Sequence, residues 1–432
     1  MKLNYGRTAL IGFAFMSICA FWGIYEPIIP LILKNTFGLR DTPIGVIMAM
    51  DNVFALILLP VFGALSDKTN TKLGKRIPYI IGGTVIAFAF IILLPIADQT
   101  KSIVFFMITL FIILLSMSFY RSPAVALMPD LTPKPLRSKA NAIINLMGAV
   151  GGVFGLIMIK LLVADGDTPN YFNLFFTVGL FMVLSVVILV FTIKEKKLGE
   201  EIAKAEQKEN EGKPQTLIDL DAKMPHDVFK SLCFLLTSVF LWFFAYNAVT
   251  TAFSRYTLAV WNLNDKEYST YLMIASVAAI LTYFPVGLLS SKFGRKKLIN
   301  IGLIMMVISF VSGAQITSEF VSKYVFVSYI PFVIIGMAWA AINVNSYPMV
   351  VEMSKNSNIG KYTGLYYTFS MTAQILTPVL SGALFDSFSY KILFPYAAIF
   401  SVLAFITMMF VKHGDSKPEA SKKVLDNFDA MD

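Results

Sequence analysis

Three charged side chains lie inside long apolar runs of this sequence, and their types are those that bind protons, cations or oxyanions. Glu26 lies in WGIYEPIIP, Asp51 in MAMDNVFALILLP and Arg121 in SFYRSPAV. A carboxyl group in such a run is neutral when it is dry and charged when water or a cation reaches it. A guanidinium keeps its charge and must meet water, a carboxylate or ligand oxygens. These residues could therefore hold a proton, a cation or a polar ligand in apolar surroundings.

The apolar runs around these residues are long enough to be membrane-spanning helices. Hydrophobic residues make up 56% of the 432 residues and charged residues 15%, whereas a soluble domain has about 45–50% and about 25%. A helix needs about 20 apolar residues to cross a bilayer. The predicted spans are 8–33, 43–65, 78–97, 103–127, 139–162, 172–193, 228–254, 268–290, 298–317, 324–350, 359–385 and 389–411. The sequence therefore predicts an all-α integral membrane protein with twelve transmembrane helices.

The charged segments between the spans predict the organisation and the orientation. A segment at 194–227 that is poor in apolar residues separates an N-terminal bundle of six helices (1–193) from a C-terminal bundle of six (228–411), and a charged tail follows at 412–432. Most Lys and Arg residues lie in the termini and the even-numbered loops, which places linker, tail and both termini in the cytoplasm. The net charge of +9 is then explained by topology, and nucleic-acid binding is not expected.

Residues suited to metal binding or covalent catalysis are sparse. Cys19 and Cys233 lie in apolar runs, and His226 and His413 lie in polar segments. This placement favours neither a disulfide framework nor a thiolate or histidine metal site. Because no nucleophile stands beside a base, we expect no enzyme, no metal and no cofactor.

The two halves repeat one loop pattern. GALSDKTNTKLGKR, which contains Asp67, follows the second span, and GLLSSKFGRKK, which contains Ser291, follows the eighth. These two positions are 224 residues apart, and Asp130 and Glu352, which end the fourth and tenth spans, are 222 apart. Two nearly equal offsets predict an internal duplication, as in membrane proteins whose halves repeat in parallel.

The repeated loops carry residues that could form ion pairs in one conformation and lose them in another. Gly63 and Gly287 would allow helices to approach closely. The basic residues at 75–76 and 295–296 could pair with Asp130 and Glu352. The predicted gating residues are Gly63, Asp67, Lys75, Arg76, Asp130, Arg137, Gly287, Arg295, Lys296 and Glu352. The alternative is that these charges only set the topology.

The first of these loops resembles a known signature. Gly-x-x-x-Asp followed by a basic pair resembles the loop signature of the major facilitator superfamily. The wide spacing, with Lys75-Arg76-x-Pro78-Tyr79, is similar to its glycoside-pentoside-hexuronide and sucrose-transporter-like branch. The segments YRSPAVALMPDLTPKPLRSKANAIINLMGAVGG and INVNSYPMVVEM resemble bacterial members of that branch. The resemblance implies the major facilitator fold and alternating-access transport of a glycoside or oligosaccharide.

The acids of the first two spans are the predicted ion-coupling residues. Glu26 and Asp51 fall at a similar depth of the N-terminal bundle, and protonation would lower the cost of moving them with the loaded carrier. In Na⁺-coupled members of the resembled branch an Asp directly precedes the proline of the second helix. Here Leu59 precedes Pro60, which favours H⁺ over Na⁺. The alternatives are a structural role for Asp51 beside Asn52, and an extracellular vestibule around Glu26.

Amide and aromatic side chains within the spans are the candidates for substrate binding. Amides exchange hydrogen bonds with vicinal hydroxyls and aromatic faces cover the apolar face of a sugar ring, so such a site suits a neutral polyol. The predicted substrate-binding residues are Asn52, Arg121, Tyr246, Asn247, Trp339, Asn343, Asn345, Tyr367 and Gln374. Tyr and Trp could instead serve packing or the membrane interface, and Arg121 could extend towards the cytoplasm.

Together these features predict a proton-coupled sugar symporter of the cell membrane that acts as a monomer. Its partners would be a small sugar, H⁺ and the lipid bilayer. The alternatives within transport are a cation-coupled carrier of lysolipids or other amphiphiles and a drug–proton antiporter. A sensor derived from a transporter is the alternative outside transport, and substrate binding without exchange would favour it.

Overall fold

The computed structural model describes residues 3–133, 136–164, 169–210, 225–353 and 359–415, and these ranges are mainly helical. They contain no β-strand, and Thr71 and Gly74 form an isolated antiparallel bridge. The helices are α1 (Tyr5–Asn35), α2 (Asp41–Lys68), α3 (Ile77–Gln99), α4 (Ile103–Asp130), α5 (Arg137–Leu162), α6 (Phe172–Thr192), α7 (Glu195–Asn210), α8 (His226–Tyr256), α9 (Asp265–Phe293), α10 (Arg295–Gln315), α11 (Ser318–Lys323), α12 (Val325–Ser328), α13 (Ile330–Glu352), α14 (Ile359–Ser387) and α15 (Leu393–Met409). A π-helical turn (Thr257–Trp261) follows α8, and a 3-10 turn (Tyr390–Ile392) precedes α15.

The long helices coincide with the predicted spans. Eleven helical segments in the described ranges are long and apolar enough to cross a membrane. The remaining predicted span, 268–290, lies within α9, a helix of 29 residues. Polar caps define several ends, as where Asn264 and Glu267 form a capping box at the start of α9. The predicted all-α membrane fold is confirmed.

The chain divides into two compact units. Unit 1 comprises Met1–Leu39 and Met50–Pro214, and unit 2 comprises Arg40–Ala49 and Gln215–Asp432. The boundary after residue 214 falls inside the predicted linker. The first nine residues of α2 belong to unit 2, and the first part of the predicted linker belongs to unit 1. The division into two bundles of six helices stays a prediction.

Two glycines explain why the start of α2 belongs to unit 2. A Cβ atom at Gly45 would lie 2.0 Å from the carbonyl oxygen of Pro378, and one at Gly382 would lie 2.2 Å from that of Asp41. Only glycine permits this direct approach of the α2 and α14 backbones. In a membrane, small residues of this kind let helices pack closely where no hydrophobic force brings them together.

Unit 1 is built around close packing of α1 on α5. A Cβ atom at Gly151 would lie 2.1 Å from the carbonyl oxygen of Met16, and one at Gly23 would lie 2.6 Å from that of Gly152. The helix backbones are therefore in contact along a stripe of small residues. This contact fixes the position of α1, which carries Glu26.

Unit 2 has an aromatic cluster at the end of α8. The ring of Trp261 is buried among Phe253, Tyr256, Tyr271 and Phe394, with ring centroids 5.5–6.1 Å apart. Its Nε1 donates a hydrogen bond of 2.9 Å to the carbonyl oxygen of Ile316. The contacts of Trp261 with Phe253 and Tyr256 are edge-to-face, a geometry that adds specificity to buried area, so this end of α8 is firmly held.

Candidate functional site

The charged residues of the apolar runs come together in unit 1. Glu26 lies on α1, Asp51 on α2 and Arg121 on α4, each half-buried and close enough for the charges to interact. Asp51 Oδ1 accepts a hydrogen bond of 2.9 Å from Nδ2 of Asn52. In α1, Pro30 has no N–H to offer the carbonyl oxygen of Glu26, so that oxygen lacks its helical donor. Polar backbone and carboxylate oxygens are thus concentrated near Glu26.

The three charges are near one another without direct pairing. In the described residues no ion pair within 4.0 Å joins Arg121 to either carboxylate. The guanidinium carbon of Arg121 instead lies 5.9 Å from the centre of the Trp22 ring, a distance at which a cation is attracted to the ring face. The same ranges contain no group of three His, Cys, Asp or Glu residues that could hold a metal ion. The arrangement can exchange protons or bind a polar ligand.

Two aromatic residues of this site were missed by the sequence analysis. Trp22 and Tyr25 contact each other at right angles with ring centroids 4.9 Å apart. Trp22 Nε1 and the hydroxyl of Tyr25 are buried and have no hydrogen-bond partner among the described residues. The signal was present in WGIYE, where spacings of three and four residues place Trp22, Tyr25 and Glu26 on one face of α1. Buried donors without acceptors are candidates for contact with a bound water or a substrate oxygen.

The aromatic and amide candidates of the C-terminal half form a second cluster, in unit 2. Tyr246 of α8 stacks on Trp339 of α13 with ring centroids 3.9 Å apart and planes 9° apart. Asn343 lies one helical turn after Trp339 on α13. Asn247 is next to Tyr246, and its amide nitrogen is buried without a partner among the described residues. This cluster combines planar aromatic faces with side-chain amides.

Other predicted substrate residues have structural contacts. Asn345 is fully buried; its amide oxygen accepts from Ser290 at 2.6 Å, and its nitrogen donates to the Ala341 carbonyl oxygen at 2.8 Å. Gln374 donates to the Ser370 carbonyl oxygen at 3.4 Å. Tyr367 is 51% exposed and packs against other tyrosine rings. Substrate contact by these three residues stays a prediction.

Arg76 is the centre of the predicted ion-pair network of unit 1. Its side chain is 5% exposed and bonds to Asp67, to Asp130 (Nε–Oδ2 2.8 Å) and to the carbonyl oxygen of Gly63 (Nη1–O 3.2 Å). Lys75 Nζ lies 3.1 Å from Asp130 Oδ2. A Cβ atom at Gly63 would lie 2.9 Å from Oγ of Ser122, so the glycine allows α2 and α4 to meet. The structure brings five of the six predicted gating residues of unit 1 together, and Arg137 is the exception.

The corresponding network of unit 2 is smaller. Arg295 of α10 bonds to Glu352 at the end of α13, and Gly287 is buried within α9. Lys296 does not join them; its Nζ donates to the carbonyl oxygens of Met409 (3.1 Å) and Val411 (2.5 Å) at the end of α15. In unit 1, Arg137 likewise donates to the Thr132 carbonyl oxygen at 3.2 Å and not to Asp130. Gating by the paired residues stays a prediction.

Two acids near these networks were also missed. Glu195, at the start of α7, accepts hydrogen bonds from the backbone N–H groups of Lys75, Arg76 and Ile77, each at 2.9 Å. Asp415 accepts from the N–H of Lys296 at 2.9 Å. The two acids are 220 positions apart, which nearly equals the offsets of the repeated loops. This offset is the feature of the sequence from which the two acids could have been identified.

Long apolar helices that carry ionisable groups inside their spans are typical of membrane transport proteins. The Major Facilitator Superfamily matches residues 11–273 and 257–426. The chain belongs to this superfamily of membrane proteins.

Individual relatives are distant. The chain is 28% identical over 176 residues to a protein of Agrobacterium vitis named for tartrate transport, covering 40% of this chain and 38% of that protein. It is 29% identical over 140 residues to the sucrose transport protein SUC3 of Arabidopsis thaliana, covering 28% and 24%. The chain thus matches little more than a third of the length of the tartrate relative. The inward-open xylose transporter XylE of E. coli superposes over 99% of both chains with a TM-score of 0.68 at 14% identity, which shows the fold alone.

Proposed function

We propose that this protein takes up a sugar together with protons by alternating access. The observation that carries the proposal is the group Glu26, Asp51 and Arg121, which share one region of unit 1 and are not ion-paired with one another. Two acids and one permanent cation give a site whose net charge changes from −1 to +1 as both acids take up protons. A site with that property can link substrate binding to proton binding.

The coupling step follows from the cost of charge in a membrane. Carrying an ionised carboxylate through the bilayer centre costs about 2.5–3.5 kcal/mol on insertion scales, whereas a protonated acid avoids most of that cost. Asp51, with Asn52 already donating to one oxygen, is the proposed proton carrier. Glu26 is the proposed second site.

The proposed substrate is a neutral glycoside or oligosaccharide. Stacked Tyr246 and Trp339 can cover the apolar face of a sugar ring, and the amides of Asn247 and Asn343 lie on the same two helices. The similarity to a sucrose transport protein supports this class. The proposed protein is a monomer of the cell membrane with both termini in the cytoplasm.

A polyhydroxy acid is the second candidate substrate. Arg121 has no ion pair in the described ranges, and a guanidinium suits a carboxylate well. The similarity to a protein named for tartrate transport points in the same direction. An anion would bind best when Glu26 and Asp51 are protonated, because the site is then positive.

Uptake by proteoliposomes tests the proposal. Radiolabelled mono- and disaccharides, tartrate and a lipophilic cation are each offered with and without an imposed pH gradient, acid outside. We expect a sugar to accumulate only with the gradient. Accumulation of tartrate would favour the second candidate, and accumulation of none of these would overturn the proposal.

The role of Asp51 has its own test. Asp51→Asn should abolish gradient-driven accumulation but keep exchange of labelled for unlabelled substrate, because exchange needs no net proton movement. Asp227→Asn, at an exposed position of α8, is the matched control and should behave as the wild type. Full gradient-driven accumulation by Asp51→Asn would contradict the assignment.

A further inference from the structure

Two buried hydrogen-bond donors of α1 have no acceptor. Nε1 of Trp22 and the hydroxyl oxygen of Tyr25 are shielded from solvent and make no hydrogen bond to any described residue. Tyr25 is 1% exposed, and the two rings meet edge-to-face with centroids 4.9 Å apart. Most buried side-chain donors in folded proteins have a partner, and buried Tyr and Trp usually bond through their polar end. The two unpaired donors therefore require an explanation.

The packing of α1 holds both side chains in place. The ring of Phe21 lies 5.3 Å from that of Trp22 and 5.5 Å from that of Tyr25, measured between centroids. The guanidinium carbon of Arg121 lies 5.9 Å from the centre of the Trp22 ring. The helix itself is fixed by its backbone contact with α5 at Gly23. Turning either ring towards another acceptor would break these contacts, so the two donors keep their positions.

An acceptor without its usual donor lies on the same face of α1. Trp22, Tyr25 and Glu26 share this face, because residues three and four positions apart are neighbours on a helix. Pro30, four positions after Glu26, has no N–H, so the carbonyl oxygen of Glu26 lacks its α-helical hydrogen bond. One face of α1 thus combines two donors that need acceptors with an acceptor that needs a donor.

A hydroxyl group satisfies both needs. Its oxygen accepts and its proton donates, whereas an ionised carboxylate only accepts and an ammonium group only donates. The indole N–H of Trp22 is a donor only, so the atom that it binds must be an acceptor. A ligand with several hydroxyl groups therefore matches this face better than a bare anion or cation does.

We propose that Trp22 and Tyr25 are substrate-binding residues that donate hydrogen bonds to hydroxyl oxygens of the transported molecule and make the site specific for hydroxylated compounds. The inference rests on the proposed transport of a hydroxyl-bearing substrate. It is independent of the choice between a neutral sugar and a polyhydroxy acid, because both carry hydroxyl groups. Arg121, beside the Trp22 ring, would meet a carboxylate only in the second case.

The first measurement is thermal unfolding without any ligand. Tyr25→Phe keeps the ring and removes a hydroxyl that has no acceptor, so this variant should melt at or above the wild-type temperature. Tyr79→Phe is the matched control, because the Tyr79 hydroxyl lies 2.9 Å from Oγ1 of Thr69, and this variant should melt below the wild type. Trp22→Phe also loses part of its ring and is therefore assessed by binding alone.

The second measurement is calorimetric binding of sucrose, xylose and tartrate to the purified protein. Loss of one hydrogen bond to an uncharged group weakens binding by about three- to tenfold. We expect this loss in Trp22→Phe and in Tyr25→Phe for each probe that the wild type binds. Tyr79→Phe should bind as the wild type does.

Analogues that lack one hydroxyl group identify the bonded group. Monodeoxy derivatives of the sugar that binds, and malate in place of tartrate, are titrated in the same way. For the analogue without the bonded hydroxyl, the variant and the wild type should bind equally, because neither can form that hydrogen bond. Such non-additivity is the signature of a direct contact.

Two results would overturn the assignment of Trp22 and Tyr25. One is binding by both variants within twofold of the wild type, which would show that water and not the substrate meets the donors. The other is a melting temperature of Tyr25→Phe that falls as far as that of Tyr79→Phe, which would show a structural partner for the hydroxyl. If the wild type binds tartrate but neither sugar, only the proposed sugar transport fails, and tartrate affinity decides the role of the two residues. If it binds none of the three, both proposals fail.

Discussion

Replacing Glu195 by alanine should weaken the start of α3. The carboxylate is 3% exposed and accepts from the N–H groups of Lys75, Arg76 and Ile77 at 2.9 Å each. These donors have no partner within the helix, so the substitution leaves three of them unsatisfied. A hydrogen bond to a charged group contributes about 1.5–3 kcal/mol. Because water can enter and replace part of these hydrogen bonds, we expect the local stability of the start of α3 to fall by about 3 kcal/mol.

Hydrogen exchange of the peptide that contains these amides measures the loss directly. About 1.4 kcal/mol corresponds to a tenfold change in an equilibrium, so exchange of the three amides should be about 100-fold faster in Glu195→Ala. Glu195→Gln keeps an acceptor but loses the charge and should give about a tenfold change. Asp415→Ala, which frees only the Lys296 N–H, should give about a fivefold change at that amide.

The control is Glu200→Ala, an exposed position of the same helix α7. Its exchange should match the wild type, since surface substitutions usually change stability by less than about 0.5 kcal/mol. Exchange in Glu195→Ala within twofold of this control would refute the reasoning. It would mean that the first turn of α3 is held by the Arg76 network alone.

Further substitutions test packing, the ion-pair network and the aromatic cluster. Gly151→Ala should destabilise the fold by about 1–3 kcal/mol through overpacking, because its Cβ atom would lie 2.1 Å from a carbonyl oxygen. Gly199→Ala, whose Cβ atom would have nothing within 4 Å, is the control and should leave the stability unchanged. Thermal unfolding measures both. Arg76→Gln should slow transport at least tenfold without changing equilibrium substrate affinity, since it acts on the network and not on the site. Trp339→Ala should weaken sugar binding at least tenfold in a direct binding assay and leave tartrate binding unchanged.

Span length and repeated loops were enough to predict the fold and much of the ion-pair pattern. An apolar run of about 20 residues forms an α-helix in a bilayer, because the helix satisfies every backbone hydrogen bond within the segment. Arg76 could be placed near Asp130 because the loop pattern recurs with Arg295, 219 positions after Arg76, and with Glu352, 222 positions after Asp130. These patterns lie in the local sequence, so they can be recognised without knowledge of the tertiary structure.

Contacts that depend on tertiary approach could not be predicted. Lys296 follows Arg295 directly, yet its ammonium reaches the end of α15, because adjacent helix residues point about 100° apart. Asp41 and Arg255 are 214 positions apart, and Asp41 precedes the predicted span 43–65. The backbones of α2 and α14 meet beside this pair at Gly45 and Gly382, and a glycine in a helix does not indicate which residue it will contact.

The two ends of α2 show why one helix can serve both units. At Asp67 the ionic contact includes an acid that is 58% exposed, so water competes with it and its net contribution is small. At Asp41 both charged groups are nearly dry, so breaking the contact is costly unless water or a new partner arrives. A helix held firmly at one end and loosely at the other will move first at the loose end. Breaking the contact between Asp41 and Arg255 would therefore require water or a new partner for each of the two buried charges.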